Sequence, residues 1–341
     1  MADSPQQGPA SPDPHNAPPA EDDAHLEIDS DVGSDYQEDF ASDTTSLNSM
    51  ITSHRYENGR RYHAYKEGAY WGPNDEEQNE QLDIAHHIFT LLLDDKLVLA
   101  PIKRDIQRVL DVGTGTGIWA IDFADEYPSA EVIGTDLSPI QPSFVPPNLR
   151  FEIDDATDTW TYPPDHFDLV HVRALYGAVA DWPAFYREAL NALRPGAWID
   201  QLEMSIQFRS DDGTVTEDHV LSEWSKTFIE AGDKFGKTFQ IAEKAKGYMQ
   251  DAGFVNVTEQ RFKLPIGSWS RDKKLKKLGL WNQLHCERSI SGWAMALLTR
   301  VMGWKYAEVE VFLAKMRSGL KDPNTHAYFY VAGVYAQKPA A

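Results

Sequence analysis

Three absences in this sequence of 341 residues narrow what the protein can be. A single cysteine, Cys286, excludes an internal disulfide and any zinc site built from several cysteines, and it favours a reducing, intracellular compartment. Apolar runs of about 18 or more residues are missing, so we expect neither a membrane-spanning helix nor a membrane partner. The first residues lack a basic region followed by an apolar core, and we therefore expect no secretory signal.

Positive charge is also missing from the first part of the chain. The net charge is −21, yet residues 1–50 contain twelve acidic residues and no Lys or Arg, which leaves −9 for the remainder. Six prolines precede Glu21. Such a segment buries too little apolar surface to offset its chain entropy, so we predict a disordered acidic tail over residues 1–52, or else a docking segment for a basic partner. The acidic balance argues against direct binding of nucleic acid.

The most informative segment that is present runs Arg108-Val-Leu-Asp-Val-Gly-Thr-Gly-Thr-Gly-Ile-Trp119, followed by Val132-Ile-Gly-Thr-Asp136. It predicts a buried strand, a glycine turn, a helix that begins at Ile118, and a second strand that ends in a carboxylate. The glycines permit positive φ and close approach of a ligand, and the helix offers unpaired N–H groups. Asp136 is placed to accept hydrogen bonds from ribose hydroxyls.

The spacing of the glycines indicates which nucleotide binds. The dinucleotide fingerprint is G-x-G-x-x-G, whereas this loop has G-x-G-x-G at Gly113, Gly115 and Gly117, with Ile118 in the place of the third fingerprint glycine. Asp111 also precedes the loop. A carboxylate there would repel a pyrophosphate but suits a ligand with amino and sulfonium groups. We therefore favour S-adenosylmethionine over a dinucleotide.

From Arg108 onward, predicted strands and helices alternate, which is typical of an α/β protein with a doubly wound, mostly parallel sheet. Strands are predicted at 108–112, 131–135, 149–153, 167–172, 197–203, 255–264 and 326–337. Helices are predicted at 118–126, 182–193, 217–231 and 241–252, with a helical insertion of about 50 residues before the last strand. A further helix is predicted at 76–99, with Asn74 or Asp75 as its N-cap.

Other positions support a nucleoside site. Asp155, followed by Ala156, is placed after the third strand to accept from an adenine amino group, although the adjacent Asp154 could serve instead. Arg173 follows the fourth strand, where open α/β sheets bind ligands. Arg173 could hold the carboxylate of the donor or an acidic substrate, or it could brace Asp168 or Asp181.

Taken together, the motifs resemble those of the fungal LaeA-like methyltransferases of secondary metabolism. The matching blocks include Gly59-Arg-Arg-Tyr-His-Ala-Tyr, Tyr70-Trp-Gly-Pro-Asn-Asp-Glu-Glu77, Leu82-Asp-Ile-Ala-His-His-Ile-Phe89, the glycine loop and Phe167-Asp-Leu-Val-His-Val-Arg173. The resemblance covers roughly residues 51–338. It implies the seven-stranded sheet of class I methyltransferases, with an antiparallel last strand. It also implies that the donor is held by Asp111, Gly113, Gly115, Asp136 and Asp155, to which we add Thr114, Gly117, Leu137 and Ala156.

On this basis we divide the chain into the acidic tail at 1–52, an aromatic and helical cap at 53–105, and a methyltransferase domain at 106–338. In the cap, Tyr62 and Tyr70 are predicted to contact the donor, together with His63, Tyr65 and Trp71, although a packed cap without ligand contact would use the same residues. Helices near 268–320 are predicted either to form a lid over a flat, apolar substrate or simply to pack. That segment contains Trp281, Trp293, Met295 and Met302.

The sequence therefore predicts an S-adenosylmethionine-dependent methyltransferase that acts on a small secondary metabolite at oxygen, nitrogen or carbon. The resemblance keeps two alternatives open, namely a nuclear regulator that works through velvet-type protein partners and a protein methyltransferase. His63, His171 and His285 are the candidate general bases by residue type, but we assign no catalytic residue and expect no metal. We expect the cytoplasm or nucleus, since the basic run Lys273-Lys-Leu-Lys-Lys277 is either a solvated helix face or an import signal.

Overall fold

The computed structural model describes residues 54–63, 66 and 70–340. The predicted acidic tail at 1–52 and Tyr65 of the aromatic segment lie outside the described residues.

The first described element is a hairpin that our sequence analysis did not predict. It consists of β1 (His54–Glu57) and β2 (Arg60–His63), which pair in antiparallel fashion. Asn58 and Gly59 form its turn, with φ of 50° and 79°. An Asn-Gly pair between two short strands is a strong hairpin signal because both residues tolerate positive φ.

The other strands form one seven-stranded sheet in the order β5-β4-β3-β6-β7-β9-β8. Their bounds are β3 (Arg108–Val112), β4 (Glu131–Asp136), β5 (Leu149–Ile153), β6 (Phe167–Arg173), β7 (Leu193–Met204), β8 (Val255–Pro265) and β9 (Tyr328–Gln337). Strands β3 to β7 pair in parallel, whereas β9 is antiparallel to both β7 and β8. The predicted fold class and the antiparallel last strand are confirmed.

Seven α-helices surround this sheet within the described residues. They are α1 (Glu76–Leu92), α2 (Ile118–Glu126), α3 (Trp182–Ala192), α4 (Val220–Phe235), α5 (Ile241–Asp251), α6 (Lys273–Ala296) and α7 (Tyr306–Lys321). A π-helical turn at Leu297–Val301 continues α6. Helices α6 and α7 are the helical insertion that was predicted before the last strand.

Both faces of the central strands are buried, which is why they read as continuous apolar runs rather than alternating ones. On β3, Val109 packs into one cluster with Trp119 and Phe123 of α2, while the next residue, Leu110, packs into another with Phe185 of α3. A third cluster joins helices α1, α4, α6 and α7 to the far part of the sheet. The sheet is thus fixed between helical layers, and the carboxyl ends of its strands are left to form a site.

Helix α1 is shorter than predicted. Its N-cap is Asp75, whose carboxylate accepts from the Gln78 backbone N–H, but the helix ends at Leu92 instead of residue 99. Asp94 and Asp95 adopt positive φ, which interrupts the helical backbone. The backbone N–H groups of Leu99 and Ala100 then donate to the Asp200 carboxylate at 2.8 and 2.6 Å. The Asp200 carboxylate therefore satisfies backbone N–H groups at the position where apolar periodicity had predicted the end of the helix.

Candidate cofactor-binding site

A cavity of about 1250 Å³, counting its opening to solvent, lies at the carboxyl ends of β3, β4, β5 and β6. Residues of α1 form part of its remaining wall. We call it the donor cavity. Ten of the predicted cofactor-binding residues line it, namely Asp111, Gly113, Thr114, Gly115, Asp136, Leu137, Asp155, Ala156, Arg173 and Tyr70. Gly117 and Tyr62 do not, for different reasons given below.

The glycine loop leaves little space for a Cβ at two positions, where the backbone also adopts positive φ. Gly113 and Gly115 adopt φ of +71° and +59°. A Cβ at Gly113 would lie 2.4 Å from the Leu175 side chain, and one at Gly115 would lie 3.2 Å from Leu82 of α1. Glycine therefore serves both the backbone conformation and the close approach of the cap.

Gly117 has a packing role instead. It precedes α2 with φ of +81°, and a Cβ there would lie 2.3 Å from the Phe151 ring of β5. Since it is not among the residues that line the donor cavity, its predicted contact with the cofactor has no support from its position.

Asp136 ends β4 and faces the glycine loop. Its carboxylate accepts hydrogen bonds from the backbone N–H groups of Gly115 and Ser138, each at 2.9 Å. One bond to each oxygen leaves lone pairs for further donors such as hydroxyls. Burial raises the pKa of Asp136 to about 6, and these N–H groups oppose part of that rise.

Two adjacent carboxylates, Asp154 and Asp155, also line the donor cavity. Asp155 accepts from Thr157 through one oxygen and pairs with Lys66 through the other, at 2.7 Å. Burial works against ionisation, but the hydrogen bonds from Lys66 and Thr157 hold the pKa of Asp155 below its usual value. Asp154 accepts from the Asp155 backbone N–H, and burial raises its pKa. A ligand amino group at Asp155 would therefore share that carboxylate with Lys66.

The Asp111 carboxylate is oriented by His171, which does not itself line the donor cavity. His171 Nδ1 lies 2.7 Å from one Asp111 oxygen, and the Thr114 hydroxyl donates to the other at 2.6 Å. The His171 ring stacks on Trp119 with a centroid separation of 3.5 Å. Burial lowers the pKa of His171, so the ring is neutral near pH 7. His171 does not line the donor cavity, and its position is that of an orienting group rather than a general base.

Arg173 brings a cation to the same cavity. Its guanidinium contacts His86 Nδ1 at 3.1 Å and lies 5.2 Å from the centre of the Phe89 ring, both on α1. Burial lowers the pKa of Arg173 to about 10, which Asp111 and Asp122 oppose, so it remains charged at neutral pH. Within the described part of the chain, no carboxylate lies within ion-pair distance of the guanidinium.

The two structural alternatives for Arg173 are excluded. Asp168 is instead paired with Arg194 at 2.7 Å, and Asp181 caps α3 by accepting from the Ala184 backbone N–H. A buried guanidinium without an ionic partner, close to a buried carboxylate at Asp111, complements a ligand that carries both a carboxylate and an ammonium group. The methionine part of S-adenosylmethionine has this pair of charges, so the donor set fits it.

Of three aromatic residues predicted to contact the donor, one lines the donor cavity and two are buried away from it. Tyr70 lines the donor cavity. Tyr62 is buried elsewhere, with the Arg300 guanidinium 4.7 Å from its ring centre, so its predicted contact with the donor is not supported. Trp71 packs against Tyr70 at 5.5 Å but does not line this cavity.

The remaining histidine candidates do not line the donor cavity either. His285 is buried within α6, where burial lowers its pKa to about 4, and His63 is buried beside the Tyr70 ring. Neither lines the donor cavity, so no general base emerges among the three histidines.

Sequence reasoning missed the contribution of α1. Gln78 and Asn79 line the cavity, and the side-chain oxygen of each is buried without a hydrogen-bond partner among the described residues. Both follow directly after the Tyr70–Glu77 block, and that position in the first turn of a cap helix was the available signal. His86, which joins Arg173 to Asp122, carried no sequence signal of its own.

Two features are absent from residues 54–63, 66 and 70–340. No helix there is long and apolar enough to cross a membrane. No group of three or more His, Cys, Asp or Glu side chains there is arranged to hold a metal ion.

Comparisons with known proteins show the family to which this chain belongs. The family model described as "Methyltransferase domain" matches residues 84–259. Methyltransferase pytC of Aspergillus terreus is 38% identical over 317 residues, which cover 92% of this chain and 96% of the relative. Secondary metabolism regulator LAE1 of Cochliobolus heterostrophus is 36% identical, covering 84% and 95%. Probable methyltransferase tdiE of Emericella nidulans is 36% identical, covering 77% and 83%.

Proposed function

The chain belongs to the LaeA-like family of fungal methyltransferases, and from this premise we propose that its acceptor is a small molecule of secondary metabolism. It is an S-adenosylmethionine-dependent methyltransferase. The observation that carries the methyltransferase assignment is the donor cavity, where Asp111, Asp136 and Arg173 lie around a glycine loop. The names of the relatives pytC and tdiE support a methylation step, while that of LAE1 keeps a regulatory role as the alternative.

We assign the groups of the cofactor to residues as follows. Arg173 takes the carboxylate of the methionine part, Asp111 its ammonium group and Asp136 the ribose hydroxyls. Asp155 takes the adenine amino group in competition with Lys66. Bound S-adenosylmethionine supplies an electrophilic methyl group on a cationic sulfur.

The protein contributes position and exclusion of water. Holding two reactants in line can lower the activation barrier by roughly 7–11 kcal/mol, because their translational and rotational entropy is lost on binding, before the reaction. The buried pair of Asp111 and Arg173 fixes one end of the donor by charge, and the loop backbone fixes its middle. A phenol or carboxylic acid acceptor ionises readily and needs no strong base, which agrees with the absence of a histidine from the cavity lining within the described residues.

Calorimetry with S-adenosylmethionine tests the donor site. We expect micromolar binding to the wild-type chain and none detectable at millimolar donor for Asp136→Ala. Asp168→Ala is the matched control, because Asp168 also follows a buried strand position but pairs with Arg194 away from the cavity. If folded wild-type protein fails to bind the donor, the proposal is wrong.

Deleting the gene separates the enzyme from the regulator. Loss of one methylated product with accumulation of its unmethylated precursor supports the enzyme, whereas collapse of many unrelated products supports a regulator with velvet-type partners.

For the location of the protein in the cell we propose the cytoplasm. Lys274 of the basic run is engaged with Asp94 at 2.6 Å, which favours a structural surface over an import signal, and a fluorescent fusion confined to the nucleus would contradict this.

A further inference from the structure

Two opposite charges in the donor cavity do not pair with each other. Asp111 and Arg173 both line the cavity. Burial lowers the pKa of Arg173, and the charge of Asp111 opposes that shift, so the carboxylate is near enough to act on the guanidinium. Within the described part of the chain, however, the ion-pair partner of Asp111 is His171. Opposite charges attract strongly away from water, so other contacts must hold these two groups apart.

The Asp111 carboxylate is held through both of its oxygens. His171 Nδ1 lies 2.7 Å from one oxygen, and the Thr114 hydroxyl donates to the other at 2.6 Å. A carboxylate only accepts hydrogen bonds, so His171 Nδ1 is the donor. Asp111 is therefore fixed in place from its own side of the cavity.

The Arg173 guanidinium is held by a second histidine, His86 of α1. Arg173 Nη1 lies 3.1 Å from His86 Nδ1, which is the only hydrogen-bond acceptor of this guanidinium among the described residues. A guanidinium only donates, so Nδ1 accepts and the proton of the neutral ring is on Nε2. Nε2 lies 2.8 Å from a carboxylate oxygen of Asp122 on α2, to which it donates. Asp122 thus selects the tautomer that can accept from Arg173.

The His86 ring has little freedom to move. It is buried, and the Thr90 hydroxyl lies 3.4 Å from Nε2 while it donates to the His86 carbonyl at 2.9 Å. On the same helix, the Phe89 ring lies 5.2 Å from the guanidinium of Arg173. A guanidinium has five N–H groups, and His86 accepts from one of them, so others remain for a ligand.

From this geometry we propose that His86, oriented by Asp122, is a positioning residue that keeps Arg173 apart from Asp111. The two charges then remain available to a ligand that carries a carboxylate and an ammonium group. His86 does not line the donor cavity and acts through Arg173. This inference rests on the proposed function, because the ligand is the methionine part of S-adenosylmethionine. Without His86, Arg173 would pair with Asp111, and the donor would have to break that pair in order to bind.

Calorimetry on the full chain with S-adenosylmethionine and with adenosine tests this role. His86→Leu keeps a side chain of similar size but removes the acceptor, and should weaken binding of S-adenosylmethionine roughly 3- to 10-fold. Adenosine has neither the carboxylate nor the ammonium group, so its affinity should stay the same. A general disturbance of the fold would weaken both ligands.

His86→Asn is the conservative variant. Asparagine Oδ1 is bonded to Cγ, as Nδ1 is in histidine, so this variant retains an acceptor near the guanidinium and should recover most of the lost affinity. His87→Leu is the matched control, because His87 is the next residue of α1 but its ring packs against Trp281 at 4.7 Å. It should leave the binding of both ligands unchanged.

A double variant checks that His86 acts through Arg173. Adding His86→Leu to Arg173→Met should weaken binding of S-adenosylmethionine no further than Arg173→Met does alone, because the group that His86 positions is already absent. Circular dichroism checks that each variant folds. If His86→Leu does not fold, His86→Asn still decides, since a folded Asn variant as weak as Arg173→Met overturns the inference.

The outcomes separate this inference from the proposed function. Wild-type protein that binds S-adenosylmethionine while His86→Leu binds it equally well overturns the inference and leaves the donor assignment intact. Equal losses for S-adenosylmethionine and adenosine, or additive losses in the double variant, overturn it as well. Folded wild-type protein that does not bind S-adenosylmethionine at all overturns the proposed function.

Discussion

The donor cavity differs in almost everything from a second, smaller cavity, which is bounded by β7, β9, α4 and α6 and which we call the aromatic chamber. The donor cavity is lined by a glycine loop and by six buried or half-buried charged residues, namely Asp111, Asp136, Asp154, Asp155, Arg173 and Lys237. The chamber is lined mostly by aromatic rings and contains one thiol, that of Cys286. The first suits a zwitterionic ligand, whereas the second offers a charged ligand no partner. Charge and backbone conformation thus define the donor cavity, and side-chain packing alone defines the chamber.

The largest predicted effect concerns the only cysteine. Cys286 lines the chamber, is 1% exposed, and has a pKa that burial raises to about 12. Its thiolate fraction near pH 8 is therefore roughly a thousandfold below that of a free cysteine. We expect iodoacetamide to alkylate the native protein at least that much more slowly than the unfolded chain, as read by intact mass.

The same labelling experiment compares the two cavities. S-adenosylmethionine should change the labelling rate of Cys286 little, because Cys286 does not line the donor cavity. Strong protection of Cys286 by S-adenosylmethionine would contradict the separation of the two cavities.

A smaller effect is expected from Arg173→Met, which keeps the length of the side chain but removes its charge. Hydrogen bonds to charged groups contribute about 1.5–3 kcal/mol, so S-adenosylmethionine should bind about 10- to 150-fold more weakly by calorimetry. Adenosine, which has no carboxylate, should bind wild type and variant equally. Arg194→Met serves as the control, because Arg194 pairs with Asp168 outside the cavity. Equal losses for both ligands would mean that Arg173 acts on the fold instead.

The pH dependence of donor binding should be smaller still. Burial raises the pKa of Asp136 to about 6, so the free site holds a proton below that pH. Ribose hydroxyls donate to the ionised carboxylate, and this proton must leave on binding. Affinity should thus fall up to about tenfold from pH 6 to pH 5 and level off above pH 7. In Asp136→Asn the residual affinity should lose this dependence, and the same slope in both proteins would assign it to another group.

The sequence predicted the sheet well and the cap poorly. Strand β3 matched its predicted bounds, because residues buried on both faces give a mostly apolar run between turn residues. The edge strand β5 also matched its predicted bounds, although its apolar and polar residues alternate. Helix α1 ended seven residues early, since the partner that replaces its helical hydrogen bonds is Asp200, a hundred residues away in sequence. The Asn58-Gly59 pair is a hairpin signal, but the β1–β2 hairpin was not predicted. The aromatic and basic residues of this segment were interpreted as ligand contacts instead.

The candidate site likewise has one part that the sequence determined and another that only the tertiary structure decided. The sequence by itself determined the donor loop, with Asp111, Gly113, Gly115 and Asp136, because strand, turn and helix follow one another within about thirty residues and each obeys a local rule. Only the tertiary structure decided that Gly117 packs against Phe151 and that Tyr62 is buried away from the donor cavity. It also decided that Arg173 contacts His86 instead of Asp168, and that Trp71 and Tyr176 line the aromatic chamber. The chamber brings together residues from Trp71 to Phe329, and packing over such separations leaves no periodic trace in the chain.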